Sequence, residues 1–237
     1  MKAMILAAGR GERMRPLTDH YPKPLLKVAG IPLIEYHIKK LVSIGVKDIV
    51  INLAWLGDLI ERYLQNGEKF GVNIHYSWEH EGALETAGGI IKALPNLTQE
   101  NEPFLVVNGD IFIEYDFTNL PTLDVNQQAH LWLVDNPPHN LSGDFYLIKN
   151  HVHNKNLADT GLITEAEKQT FTFSGLGLYR PSLFQTYLNQ KVMPLAPVLK
   201  AAMDKQQITG ELLSGLWTDV GTPERLAQLN EHKQGIN

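Results

Sequence analysis

Cysteine is missing altogether from the 237 residues, which excludes disulfides, a thiol nucleophile and a thiolate metal site. No apolar run approaches the ~20 residues of a membrane-spanning helix. The apolar start, residues 1–8, stops at Gly9 and meets Arg10, Arg13 and Arg15, so it is too short and wrongly flanked for a secretory signal. A cytoplasmic protein without a membrane partner is therefore expected. An excess of positive charge is also lacking: the net charge is −5, whereas nucleic-acid binding usually needs a basic surface, so no nucleic-acid partner is expected. Internal repeats, low-complexity tracts and linkers are absent too. One domain spanning 1–237 is the economical reading, with halves at 1–110 and 111–237.

What charge there is has been distributed unevenly. Residues 1–27 carry a local +4, from Lys2, Arg10, Arg13, Arg15, Lys23 and Lys27 against Glu12 and Asp19, while the remainder carries −9. A cationic segment on an acidic protein suits a small anionic ligand near the N-terminus. A solvated basic loop would look the same by charge alone.

Apolar patterning gives the fold class. Residues 2–8 read as a strand buried on both faces. Helical spacing follows at 31–44, a β-like run at 48–53, a second helical pattern at 56–64, a strand at 71–78, a helix at 85–94 and a strand at 104–108. Strand and helix alternating through short connections imply right-handed βαβ crossovers and a doubly wound, mostly parallel α/β sheet. In such a sheet ligands bind at the carboxyl ends of the strands. Beyond Asp110 the pattern changes to antiparallel strands at 129–134, 144–148 and 170–179, with loops at 136–140 and 151–159, and helices at 182–188, 197–203 and 223–232. This second half reads as a substrate-side elaboration.

Two motifs near the N-terminus carry chemistry. The first buried strand ends in Leu6-Ala7-Ala8-Gly9-Arg10-Gly11-Glu12-Arg13-Met14-Arg15-Pro16. Small residues let backbone N–H groups approach a phosphate, and the arginines can neutralise its oxygens. A dinucleotide-binding loop is the rival, but Met14 stands where its third glycine belongs and Pro16 would interrupt the helix that should follow. Next, Pro22-Lys23-Pro24 restrains a lysine that could offset charge developing on phosphorus; a merely rigid loop is the alternative. Further along, Asn108-Gly109-Asp110 ends the fourth parallel strand, where an aspartate suits either Mg²⁺ or a turn. Asp219 lies in the loop before a helix that Thr222 caps and Pro223 opens. Residues 81–89 form a polar, small-residue loop opening a helix, where a base or ribose could rest, although an ordinary helix cap has the same composition. The nine histidines form no trusted metal pattern, His151-x-His153 reading as a solvated loop.

Taken together, Ala7-Ala8-Gly9-x-Gly11-x-Arg13-Met14-Arg15-Pro16-Leu17-Thr18, Pro22-Lys23-Pro24, Gly82 to Gly89, Val107-Asn108-Gly109-Asp110 and Trp217 to Pro223 resemble the sugar-1-phosphate nucleotidylyltransferase family, nearly end to end and in order. Glu85-Thr86-Ala87-Gly88-Gly89-Ile90, Asn136-Pro137-Pro138, Gly143-Asp144-Phe145 and Phe173 to Gly177 bring it nearest to the short uridylyltransferases that act on N-acetylmuramate α-1-phosphate in peptidoglycan recycling. Mannose-1-phosphate guanylyltransferases share much of this pattern. The resemblance implies an enzyme with UTP and a sugar 1-phosphate as substrates and Mg²⁺ as cofactor, held by Asp110 and Asp219. It further implies catalytic roles for Lys23 and Arg15. Nucleotide contacts would come from Ala8, Gly9, Arg10, Gly11, Arg13, Lys23, Glu81, Gly82, Thr86 and Asn108, and sugar contacts from Asn108, Asp144, Glu165, Ser174 and Gly175. A noncatalytic nucleotide sensor would share the glycine loop but could lose the carboxylates. Composition and spacing leave the oligomeric state open.

Overall fold

The apolar run at the start of the chain forms strand β1 (Ala3–Leu6), which pairs in parallel on both edges and is accordingly apolar on both faces. The computed structural model describes residues 1–80, 82–161 and 163–235. A small hairpin, β2 (Lys27–Val28) and β3 (Ile31–Pro32), leads into helix α1 (Leu33–Ser43). Because Ile31 and Pro32 pair with β2, the helix starts two residues later than its apolar spacing suggests. There follow β4 (Asp48–Leu53), α2 (Gly57–Leu64), β5 (Asn73–Trp78), α3 (Glu85–Leu97) and β6 (Phe104–Asn108). These strands lie side by side in the order β5-β4-β1-β6, all parallel. The first crossovers step outward from β1 to β4 and β5, and the next returns to its other edge. That reversal opens a crevice between the carboxyl ends of β1 and β6.

The second half adds β7 (Ile111–Ile113), β8 (Ala129–Val134), β9 (Phe145–Ile148), β10 (His151–Asn154), β11 (Thr170–Tyr179), α4 (Leu195–Met203), β12 (Ile208–Leu212), β13 (Trp217–Asp219) and α5 (Pro223–Gln234). Antiparallel pairing of β11 with β6 carries one sheet through both halves, in the order β6-β11-β8-β12-β10-β9. β9 also pairs back onto the start of β11, so these last five strands close into a ring. All pairs in the ring are antiparallel except β8 with β12. The stretch 151–159, expected as a loop, opens with strand β10, whose partners β9 and β12 are remote from any local signal. The expected helix at 182–188 is 3-10 in form, spanning Pro181–Tyr187.

Side-chain alternation distributes the strands between two cores. Ala3, Ile5, Ile49, Ile51, Leu105 and Val107 face α1 and α2, while Met4, Val50, Phe104 and Val106 face α3 and α4. A third, smaller core gathers Met14, Leu26, Val28, Leu33, Phe112, Val220 and Leu229. It is this cluster that ties the N-terminal loop to β7, β13 and α5, so it fixes the neighbourhood of Lys23, Asp110 and Asp219.

Candidate active site

At the reversal of strand order the structure has a cleft of about 430 Å³. Its floor is the turn after β1, with Ala8, Gly9, Gly11 and Arg13 on the wall. Gly11 adopts a left-handed conformation (φ +69°) and its carbonyl accepts from the Thr18 hydroxyl at 2.8 Å. The turn then makes one 3-10 turn, Glu12–Met14, rather than the long helix of a dinucleotide-binding loop. Met14 is fully buried and anchors it. Lys23, which stands in a further 3-10 turn (Lys23–Leu25) rather than in extended chain, is buried beneath the cleft with its Nζ 2.6 Å from Asp110 Oδ2. Asn108 and Asp110 complete the β6 side, and Ala83, Glu85 and Thr86 bring the start of α3 to the opposite wall.

Asp110 and Asp219, 109 residues apart in sequence, are brought together by the β7–β13 ladder. Asp219 pairs in register with Ile111, and Val220 N–H donates to the Asp110 carbonyl at 2.8 Å. Asp219 in turn is ion-paired with Arg225 and lies 3.1 Å from His139 Nε2. Each carboxylate thus holds a cation or ring nitrogen of the chain itself. Gly221 lines the first cleft, whereas Asp219, Thr222 and Arg225 line a second cavity of about 830 Å³. The short segment 219–221 is the wall between two compartments.

Comparison with known proteins now decides the family: residues 2–235 match the nucleotidyl transferase family. The chain belongs to it. It is 52% identical to the N-acetylmuramate alpha-1-phosphate uridylyltransferase of Neisseria meningitidis serogroup B, over 96% of both chains. The mannose-1-phosphate guanyltransferase of Gibberella zeae is 31% identical across 94% of this chain, which spans 62% of that protein. A solved Bacillus anthracis structure, assigned as a glucose-1-phosphate thymidylyltransferase, superposes with a TM-score of 0.80 over the whole chain at 24% identity, a likeness of fold. As a family member this chain is a nucleotidyltransferase, an enzyme.

Several residues expected at the site lie elsewhere. Arg15 does not line the cleft, because its guanidinium is engaged with Glu12 at 3.4 Å and Asp19 at 3.0 Å. Arg10 pairs with Glu12 and stacks 3.6 Å over the Trp55 ring, bracing the turn from behind. Gly82 has a positive φ in the approach to α3 without reaching the cleft wall, and Glu81 lies outside the described residues. Of the sugar-contact candidates other than Asn108, none lines either cavity. Asp144 accepts from the Phe173 N–H at 2.8 Å and from Asn140, pinning a loop to β11. Ser174 is buried, its hydroxyl accepting from Leu176 N–H and its carbonyl from Trp217 Nε1. Gly175, at φ +85°, packs under Asn108, where a Cβ would sit 2.7 Å from the amide nitrogen. Glu165 is exposed and paired with Lys168.

Two cleft residues escaped the sequence reading. Asn52 accepts from Ala7 N–H (2.8 Å) and donates to Glu79 Oε1 (2.8 Å), while Glu79 Oε2 accepts from Leu84 N–H (3.1 Å). Both are buried, and they connect the phosphate-side turn to the opening of α3. The available signal was a polar residue inside the apolar strand β4, since a buried amide has to be satisfied.

Among the described residues no three or more potential metal-ligating side chains cluster. The donor set of Asp110 and Asp219 nonetheless fits Mg²⁺. Carboxylate oxygens match a hard ion that keeps waters and phosphates as its other ligands and needs only one or two protein carboxylates. Each aspartate already carries a positive partner, Lys23 for Asp110 and Arg225 for Asp219.

Proposed function

We propose that this enzyme transfers UMP from UTP to N-acetylmuramate α-1-phosphate, giving a UDP-sugar and pyrophosphate, in the cytoplasm and with Mg²⁺ held by Asp110 and Asp219. The observation that carries the reading is the pairing of a glycine–arginine turn and a buried lysine with two aspartates, Asp110 lining the first cavity and Asp219 the second. One compartment takes the triphosphate and the other the sugar. The substrate pair follows the Neisseria relative, which matches along nearly the full length of both chains.

The second pKa of a phosphate monoester is ~6, so the sugar phosphate is already a dianion at neutral pH and needs no general base. The obstacle is anion meeting anion, which positioning and positive charge relieve. In this proposal the backbone of Ala8 to Gly11 and the Arg13 side chain hold the triphosphate. The start of α3, with Thr86, bounds the uridine side, and Lys23 offsets charge as the sugar-phosphate oxygen attacks the α-phosphorus in line. The bound Mg²⁺ supplies electrostatic neutralisation of the phosphates. Arg10 and Arg15 act from outside the cleft, by stiffening the turn.

The test is a matrix of pyrophosphate release, with UTP, GTP, CTP and dTTP against N-acetylmuramate, N-acetylglucosamine, mannose and glucose 1-phosphates. Turnover should be highest with UTP and N-acetylmuramate 1-phosphate and should vanish with EDTA. Turnover confined to GTP with mannose 1-phosphate would overturn the reading.

A further inference from the structure

The second cavity contains a cation with no part in the scheme above. Arg225 projects from the first turn of α5, three residues after the Thr222 cap, with its side chain only 17% exposed. Nη1 contacts Asp219 and lies 3.0 and 3.2 Å from the two ring nitrogens of His139. His139 comes from the loop after β8, so two distant segments converge to hold this guanidinium at the cavity wall. Among the described residues Arg225 is the one Lys or Arg of that lining, and Asp135 and Asp219 are its acids. A negative group entering the cavity is therefore drawn to the one place where the lining offers a guanidinium. Engaging Asp219 leaves capacity to spare, because a guanidinium presents five N–H donors in a fork matched to carboxylates.

The sugar phosphates that such an enzyme must tell apart differ in that property. N-acetylmuramate is N-acetylglucosamine with a lactyl ether, and the lactyl group ends in a carboxylate. We infer that Arg225, braced by His139, receives the carboxylate of the acidic sugar 1-phosphate and so sets the choice of acidic over neutral sugar. This rests on the proposed function above, and adds to it the residue that decides the substrate. Against a neutral sugar the guanidinium N–H groups not engaged by Asp219 gain no carboxylate, so discrimination comes from a contact that only the acidic sugar makes.

The experiment measures kcat/KM for N-acetylmuramate 1-phosphate and N-acetylglucosamine 1-phosphate, in the wild type and in Arg225→Gln and Arg225→Lys. Calorimetric binding of both sugars with Mg²⁺ and without UTP serves as the second readout. A change acting only through Asp219 or through folding lowers both sugars together, so the ratio between them is the quantity to read. Arg225→Gln should lower the acid-to-neutral ratio by on the order of 10²-fold, the worth of one charged hydrogen bond, and Arg225→Lys should retain part of it. Binding constants should move in the same direction. A ratio unchanged in Arg225→Gln, with both sugars falling equally, overturns the inference while leaving the enzyme's substrate as proposed. A wild type with no preference for the acidic sugar sinks the substrate assignment itself, a result visible before any substitution is made.

Discussion

Lys23 keeps only 7% of its surface in water, and its Nζ rests 2.6 Å from Asp110. An ammonium taken out of water is tolerable only beside an opposite charge, so each of the two groups holds the other in place. Positioned in this way, Lys23 needs little reorganisation to meet a triphosphate. Lys23→Ala should lower kcat by about 10²–10³-fold, as removal of one preorganised contact does, with the fold intact by circular dichroism. Near-normal turnover would remove Lys23 from the mechanism. Lys23, Asp110 and Asp219 were legible in the sequence because each sits in a motif whose local chemistry is unusual: proline on both sides, glycine before a strand-end carboxylate, a loop ahead of a capped helix. Asn52, Glu79 and Arg225 were not, since what makes each significant is a partner tens of residues away. Arg15 and Glu165 stand outside the two cavities for the converse reason. Their types suit anions and sugars, but nearby charges (Glu12 and Asp19 for one, Lys168 for the other) already occupy them.

Between elements, the cleft depends on a relay spanning four of them. The end of β1 is tied through Asn52 on β4 to Glu79 beyond β5, and from there to the first turn of α3. Gly89 makes room for it, since a Cβ there would lie 2.8 Å from Glu79 Oε1 and 3.0 Å from the Asn52 amide. The spacing between the phosphate turn and the α3 wall is thereby set by two buried side chains. Asn52→Ala should raise the KM for UTP roughly tenfold with the KM for the sugar phosphate unchanged, and should cost about 1–3 kcal/mol of stability for the hydrogen bonds left unmade. An equal rise in both KM values would reduce Asn52 to a folding residue. The elements carrying this relay could be read in advance, because strands buried on both faces and amphipathic helices have strong periodicity. The short strands β7, β10, β12 and β13 could not. Each has three to five residues, and each is made a strand by its partner rather than by its own composition.

Across the whole molecule, one sheet runs from β5 to the ring of strands, so a charge introduced into its core is felt by both halves. His37, on α1, is 1% exposed. Burial pushes its pKa down to about 4, against the opposing pull of the Ile111 backbone and Asp110. His37 is thus folded in as the neutral ring. An unfolded chain would take up a proton there once the pH falls below the ordinary value of 6.5, whereas the folded protein does so only near 4. Stability from this residue is therefore complete above pH 6.5 and lost progressively down to about pH 4, a total on the order of 3 kcal/mol. His130 and His153, also depressed by burial, act in the same direction, so the wild-type profile alone would not isolate His37. His37→Leu keeps an apolar side chain in the same cavity and removes the titration. Urea unfolding at pH 7.5, 6.0, 5.0 and 4.5 should show the variant close to the wild type at the highest pH and increasingly more stable, relative to it, as the pH falls. Parallel decline of the two proteins across that range would mean that His37 becomes charged without cost, which a ring buried this completely does not allow.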